Sequence, residues 1–364
     1  MSRLRLLWLF SLFSFSDLQA YPENIRYGYN NCQTCHIAPT GGGILNKYGR
    51  GAGESFMNTW GYEGMAQATY GLFDLPSWFD IGGDIRQVEY KVENEQFSIQ
   101  RKFLMQKDLE VSLELLPGFR FVSSGGYYGE QQRWERRRYY ALFENAGESF
   151  SRYIRAGRFY PAYGILLDDH TRISRRALGF DQGAETFNIE TGLSSQMGTI
   201  YFSRVLGNRP SFSDNGYGGI RHVPNGSDGW TSKLSYFPSK FTQYSLSLLD
   251  LKNGDSRRRV VGVSMMSGLT KKTYLMLQYD HGRDEPQLTQ FQVFFSRFGY
   301  VLFQGFHIRT DLQYNRSILT DFRSYGLGFQ WFPIAHWELS GYYDRVLQNG
   351  IPGTSWLVMV HYHI

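Results

Sequence analysis

The 364-residue chain has two cysteines, Cys32 and Cys35. With only two residues between them they cannot build a disulfide scaffold. It has no run of about 20 apolar residues, and its mean hydropathy is −0.39, which excludes a protein that crosses a membrane with helices. A nucleophile elbow, a phosphate loop and a His-Glu-x-x-His zinc motif are all missing, which leaves conventional enzyme classes without support. Concentrated positive charge is missing too. The net charge is +5, but Lys and Arg are spread along strand-like segments rather than gathered on one helix, so a nucleic-acid partner is not expected. What is present is aromatic: 28 Phe, 26 Tyr and 8 Trp, together with 40 Gly. So many large rings must be buried somewhere, which excludes a disordered chain. A chain polar on average yet rich in aromatics and glycine has the composition of a β-protein, including a membrane β-barrel.

The first twenty residues match a secretory signal peptide. Arg3 and Arg5 form a positive start, Leu6 to Phe15 an apolar stretch, and Ala20 a small residue for cleavage. The apolar stretch is too short to span a bilayer as a helix. Export through this signal would leave Tyr21 at the mature N-terminus.

Cys32-Gln33-Thr34-Cys35-His36 follows directly. It is the pattern for covalent attachment of one c-type haem. Two thiols at this spacing reach the two porphyrin vinyl groups as thioethers, and the adjoining His36 falls beneath the iron as an axial ligand. Export and haem attachment belong to the same compartment, which strengthens the reading. The alternative is a Cys-x-x-Cys redox pair, which needs neither His36 nor the Gly-rich stretch after it. The haem segment, residues 21–77, is short for a free-standing cytochrome, because domains of this size are marginal even without a cofactor. Some other part of the chain is therefore expected to shield the haem. A helix is expected between Gly43 and Trp60, with Leu45, Tyr48 and Phe56 apolar and the glycines weakening it. Met57 is a candidate distal ligand, and Met65 is expected to serve in packing. A histidine from elsewhere in the chain, or an open site, is equally compatible.

From residue 78 to 364 the pattern changes to aromatic-rich segments separated by turn residues. In Ser355 to Ile364, the residues Trp356, Val358, Val360, Tyr362 and Ile364 alternate with Ser355, Leu357, Met359, His361 and His363. That is the period-two signature of a strand between two environments. Tyr325, Leu327, Phe329 and Trp331 form a similar face. Short connections are expected near Pro117-Gly118, 146–149, 195–198, 238–240, 270–272, 299–300 and 333–335. Mostly longer ones alternate with them, at 125–132, 164–183, 207–228, 252–256, 282–287, 317–320 and 347–354, after a first near Glu93 to Glu95. Eight connections of one kind and seven of the other require sixteen strands. The expected fold is all-β, a transmembrane antiparallel barrel in the outer membrane, with short periplasmic turns and longer outside loops. A soluble sandwich or propeller would not explain the alternation in loop length.

The third outside loop, 164–183, contains Asp168, Asp169, His170, Arg172, Arg175 and Arg176. Mixed charge facing a lumen sets ion selectivity. A sharper reading gives Asp168, Asp169 and His170 a ferrous ion, and a blander one makes them pore-lining or salt-bridged charge. Arg136 to Arg138 and Arg257 to Arg259 are expected to face the lumen or the lipid headgroups.

Several features together are similar to the fused monohaem cytochrome–porins of iron-oxidising bacteria. They are the haem motif, Pro39, Gly41 to Gly43, Leu45, Tyr48-Gly49-Arg50 (with Tyr where the family pattern has Phe), and the order signal, haem motif, barrel. The passage Arg155 to Gly164 resembles the strand-to-loop passage of phosphate-selective-type porins, and in general porins the third loop folds inward. The resemblance implies a conduit. Outer-membrane lipid surrounds the barrel, the haem is screened in or under the lumen, and electrons pass from an extracellular donor, Fe(II) being one candidate, to a periplasmic carrier such as a cytochrome. Ferrous-iron oxidase-like activity is the narrower form of that expectation. Two rivals stand beside it: a porin passing small solutes whose haem segment senses or gates, and a haem-ligand sensor or peroxidase-like site.

Overall fold

Strand formation follows the sequence alternation closely. The computed structural model describes residues 21–128, 133–147, 149–167, 169, 171–179, 185–207, 228–286, 289–318 and 320–364, so the signal-peptide expectation lies outside the described residues. Sixteen strands run in chain order: β1 (Phe79–Asn94), β2 (Ser98–Leu116), β3 (Phe119–Tyr128), β4 (Arg133–Ala146), β5 (Phe150–Phe159), β6 (Thr186–Ser195), β7 (Gly198–Gly207) and β8 (Asp228–Ser239). There follow β9 (Thr242–Asn253), β10 (Ser256–Gly268), β11 (Thr273–Glu285), β12 (Thr289–Phe303), β13 (Phe306–Ser317), β14 (Asp321–Trp331), β15 (Trp337–Gln348) and β16 (Ile351–His363). Each pairs antiparallel with its neighbours, and β1 pairs with β16 from Asp84↔His363 to Asn94↔Gly353, closing the barrel. Closure leaves no exposed sheet edge. It also excludes the sandwich and propeller alternatives.

The faces are inverted relative to a water-soluble sheet. In β6, Asn188 and Glu190 are buried while Ile189 and Leu193 are exposed. In β7, Thr199 and Ser203 are buried while Ile200 and Phe202 are exposed. The same inversion places Tyr325, Leu327, Val358 and Val360 outside and His361 inside. An apolar belt on the outside of a closed barrel is stable only in hydrocarbon, and the interior can then be polar. The protein is an outer-membrane barrel with lipid as its outer solvent. No helix among the described residues is long and apolar enough to cross a membrane.

Three details differ from expectation. The short connection expected near Gly299-Tyr300 lies inside β12, where Gly299 makes room for the Tyr274 ring, and the turn is at Gln304-Gly305, with Gly305 at φ 84°. The connections expected at 252–256 and 347–354 are two-residue turns, Gly254-Asp255 and Asn349-Gly350. The Asn349 and Gly350 φ values of 51° and 82° let the flanking strands pair to their ends. The helix expected between Gly43 and Trp60, α1, spans only Lys47–Phe56. Gly41, Gly42 and Gly43 all have positive φ, and an isolated bridge joins His36 to Leu45, so a hairpin occupies the stretch ahead of α1.

Residues 21–58 lie within the periplasmic end of the barrel. The 3₁₀ turn Pro22–Tyr27 packs on β10 and β11, and Ile44 rests on β1 beside Gly82. Ile37 and Ile44 join Val122, Tyr140, Leu142, Phe159 and Tyr201 of the inner wall in one apolar cluster. The wall supplies burial that so short a segment could not provide for itself.

Candidate haem site

A single tight turn builds the thiol pair. Asn31 Oδ1 accepts from Gln33 N at 3.1 Å, starting the 3₁₀ turn Cys32–Thr34. The N–H groups of Cys35 and His36 both return to Cys32 O, at 3.3 and 3.0 Å. Residues 32, 35 and 36 are thereby gathered on one turn of backbone, as the attachment chemistry needs. The turn is moored to the barrel. Asn31 Nδ2 donates to Ser194 Oγ at 2.6 Å, and Ser151 Oγ donates to Gln33 Oε1 at 3.0 Å.

Asn46 ties the turn to α1. Its backbone N–H donates to Cys35 O at 2.9 Å, its Nδ2 donates to Thr34 O at 3.1 Å, and its Oδ1 caps the helix by accepting from Gly49 N at 2.7 Å. Asn46 was not singled out from the sequence, although Asn directly before a helix is an N-cap signal. Gly49 has a steric reason. A Cβ there would lie 2.3 Å from Cys35 O, so only glycine lets the helix approach the haem turn. Arg50 then donates from Nη2 to Ile81 O, pinning α1 to β1.

Cys32, Cys35 and His36 line one cavity of about 270 Å³ inside the barrel. No disulfide joins the thiols; Cys32 is open to the cavity and Cys35 is buried. Burial, followed by the nearby Cys32, pushes the Cys35 thiol up to about 12. Burial also raises Cys32. Gly41, at φ 87°, lies so close that a Cβ would come 3.2 Å from Cys32 Sγ. Cationic groups on the wall complete the cavity. Arg138 pairs with Glu110 at 2.9 Å, Arg155 pairs with Glu190 at 2.7 Å and reaches Thr40 Oγ1 at 2.8 Å, and Lys233 Nζ donates to Gly164 O at 2.6 Å. Two thiols and an imidazole on a glycine-cradled turn, facing a walled cavity with cations, fit a covalently attached haem with two anionic propionates.

Met57 is not brought to this cavity. It is 1% exposed, and its sulfur receives the Asn24 amide at 3.6 Å. It does not appear among the described residues that line the space shared by Cys32, Cys35 and His36. Met65 lies near the β14–β15 turn, where its carbonyl meets His336 Nε2 at 2.9 Å.

The third outside loop folds inward and crosses the lumen. Tyr163 OH donates to Asp280 at 2.8 Å, Gly164 N to Ser247 at 3.0 Å, and Ile165 N to Gln278 Oε1 at 2.8 Å. Leu166 then lies over the haem hairpin, within ordinary contact distance of where Cβ atoms on Gly41 and Gly42 would sit. Beyond it, a short helix, α2 (Ile173–Arg176), reaches the opposite wall, where Ile173 N donates to Gln313 Oε1 at 2.8 Å. Arg172 holds Asp344 at 2.9 and 3.1 Å and lies 3.4 Å from Asp311.

Asp168 and His170 lie outside the described residues. Asp169 is committed to Arg172 at 3.2 Å and Arg297 at 3.3 Å. Burial alone would raise its carboxyl, but the two guanidiniums outweigh burial and hold it well below the usual carboxylate range. Among the described residues, no group of three His, Cys, Asp or Glu side chains is placed to hold a metal ion. Of the basic runs, Arg137 and Arg138 line the cavity, whereas Arg257, Arg258 and Arg259 pair with Asp250, Asp284 and Glu285.

No family model and no curated protein matches the chain. Solved structures do. The outer membrane channel DcaP of Acinetobacter baumannii aligns over 80% of this chain and 99% of its own, with 8% identity and a TM-score of 0.56. OprB of Pseudomonas putida aligns over 79% and 94%, with 7% identity and a TM-score of 0.60. An anion-selective porin from Comamonas acidovorans aligns over 79% and 99%, with 10% identity and a TM-score of 0.55. The fold is that of outer-membrane porins.

Proposed function

We propose that this porin-like barrel is an outer-membrane electron conduit, in which one c-type haem is held in the lumen by Cys32, Cys35 and His36. The observation that carries this reading is the placement of all three residues on one moored turn facing a walled cavity, between the periplasmic haem segment and the inward loop. When bound, the group supplies reversible one-electron chemistry at iron. Everything else falls to the chain. Cys32 and Cys35 would anchor the group, His36 would ligate it, and Lys233, beside Arg138 and Arg155 in their pairs with Glu110 and Glu190, would offer positive charge to propionates. Leu166 and Ile165 cover the cavity from the outside. Burial and axial ligation set the potential, and the barrel wall excludes water and competing reactants. An outside donor, Fe(II) being the candidate, would supply the electron and a periplasmic carrier would accept it.

A haem-peroxidase stain of outer-membrane fractions tests this reading directly. A heat-modifiable, haem-positive band is expected from the wild type and none from Cys35→Ala. A colourless wild-type barrel, made alongside cytochrome maturation machinery, would refute it. A ferrous-iron reduction assay tests the narrower donor assignment separately, and its failure would remove iron without removing the conduit.

A further inference from the structure

Over residues 59–78, ahead of β1, the chain leaves the lumen and passes around the periplasmic rim, exposing Trp60, Tyr62, Leu72, Phe73 and Trp78 with only Glu63 and Asp74 as charges between them. At 83% for Leu72 and 65% for Phe73, these are among the most exposed large apolar side chains in the molecule. Large apolar side chains exposed to this degree and so near one another in sequence need a partner.

The neighbours of the patch indicate which partner it has. Thr59 N and Trp60 N donate to Phe332 O and Pro333 O at the β14–β15 turn, both at 2.9 Å. The Trp60 ring meets Trp331 edge-on at 5.8 Å, and Trp331 Nε1 donates to Thr59 Oγ1 at 3.0 Å. Farther along, Tyr70 OH lies 2.6 Å from Tyr362 OH, and Tyr362 stacks edge-on against Trp337 at 5.2 Å. Trp331 and Tyr362 belong to the outward faces of β14 and β16, the faces that carry Leu327 and Val360 into lipid. The patch is thus continuous with the barrel's lipid-facing surface at its aromatic rim. Rings at that height sit at the headgroup boundary.

We infer that residues 59–78 form an interfacial strap, with Trp60, Tyr62, Leu72, Phe73 and Trp78 seated in the periplasmic leaflet and phospholipid as their partner. The strap fastens residues 21–58 from outside the barrel, so that they are held by lipid as well as by the wall.

The test reconstitutes the full chain in phosphatidylethanolamine vesicles carrying an acyl-chain diazirine, photolyses them, and locates the label by tandem mass spectrometry. Trp60, Leu72 and Phe73 are expected to carry label within about threefold of Leu327 and Val358, as interfacial burial of apolar side chains requires. Leu72→Asp/Phe73→Asp, checked for retained heat-modifiable migration, is expected to lose label across 59–78 while Leu327 keeps it. Label on 59–78 no higher than on lumenal Ile25 would overturn the inference and leave the patch as a surface for a soluble periplasmic protein. Unchanged strap label in the double variant would overturn it equally.

Discussion

At the scale of single residues, the turn that carries Cys32, Cys35 and His36 depends on groups outside those three. Gly49 is the sharpest case. Gly49→Ala would drive a methyl group toward Cys35 O, and overpacking of this kind costs about 1–3 kcal/mol. It is expected to lower haem content per barrel, read as the pyridine haemochrome against total protein, while the heat-modifiable shift persists. Met57 offers the opposite test. Because its sulfur is engaged by Asn24 away from the cavity, Met57→Leu is expected to leave the haem absorption spectrum unchanged, whereas His36→Ala is expected to change it. A spectral shift in Met57→Leu would restore that methionine as a ligand.

At the scale of elements, the inward loop is the part whose stability depends on charge. Arg172 is buried between Asp169, Asp311 and Asp344. Removing one member of a buried pair costs about 3–5 kcal/mol, because its partners are left uncompensated. Arg172→Ala should therefore release the loop, observable as raised single-channel conductance. The pH dependence follows from Asp169. Its folded carboxyl lies below its unfolded value, so its contribution is fully present above about pH 4 and declines as pH falls further. Conductance is expected to stay flat from neutral pH down to about pH 4 and to rise only below it. A rise beginning near pH 6 would assign the latch to another group.

At the scale of the whole molecule, the lumen is occupied from both ends, by residues 21–58 from the periplasmic side and by the loop after β5 from outside. A filled barrel separates an electron conduit from a solute porin. In liposome swelling, the wild type is expected to pass no small sugars, and substantial swelling would favour the porin reading with a gating haem segment. An absolute comparison with open porins is not needed, since Arg172→Ala serves as the internal reference.

The sequence alone determined the strand count, the alternation of faces and the membrane as outer solvent, because a period of two with apolar residues on one side leaves few other folds. It also marked Cys32, Cys35 and His36, since covalent attachment demands a local spacing. It did not mark the distant-strand partners of Arg172, of which Asp344 is 172 residues away. Asn46, whose partners Thr34, Cys35 and Gly49 are local, carried a legible N-cap signal that was passed over, and with it the true start of α1. Only closure of the barrel decided that the haem turn, the wall cations and the third loop share one cavity. Contacts across a lumen are set by the register of many strands at once, and no local window of sequence contains that register.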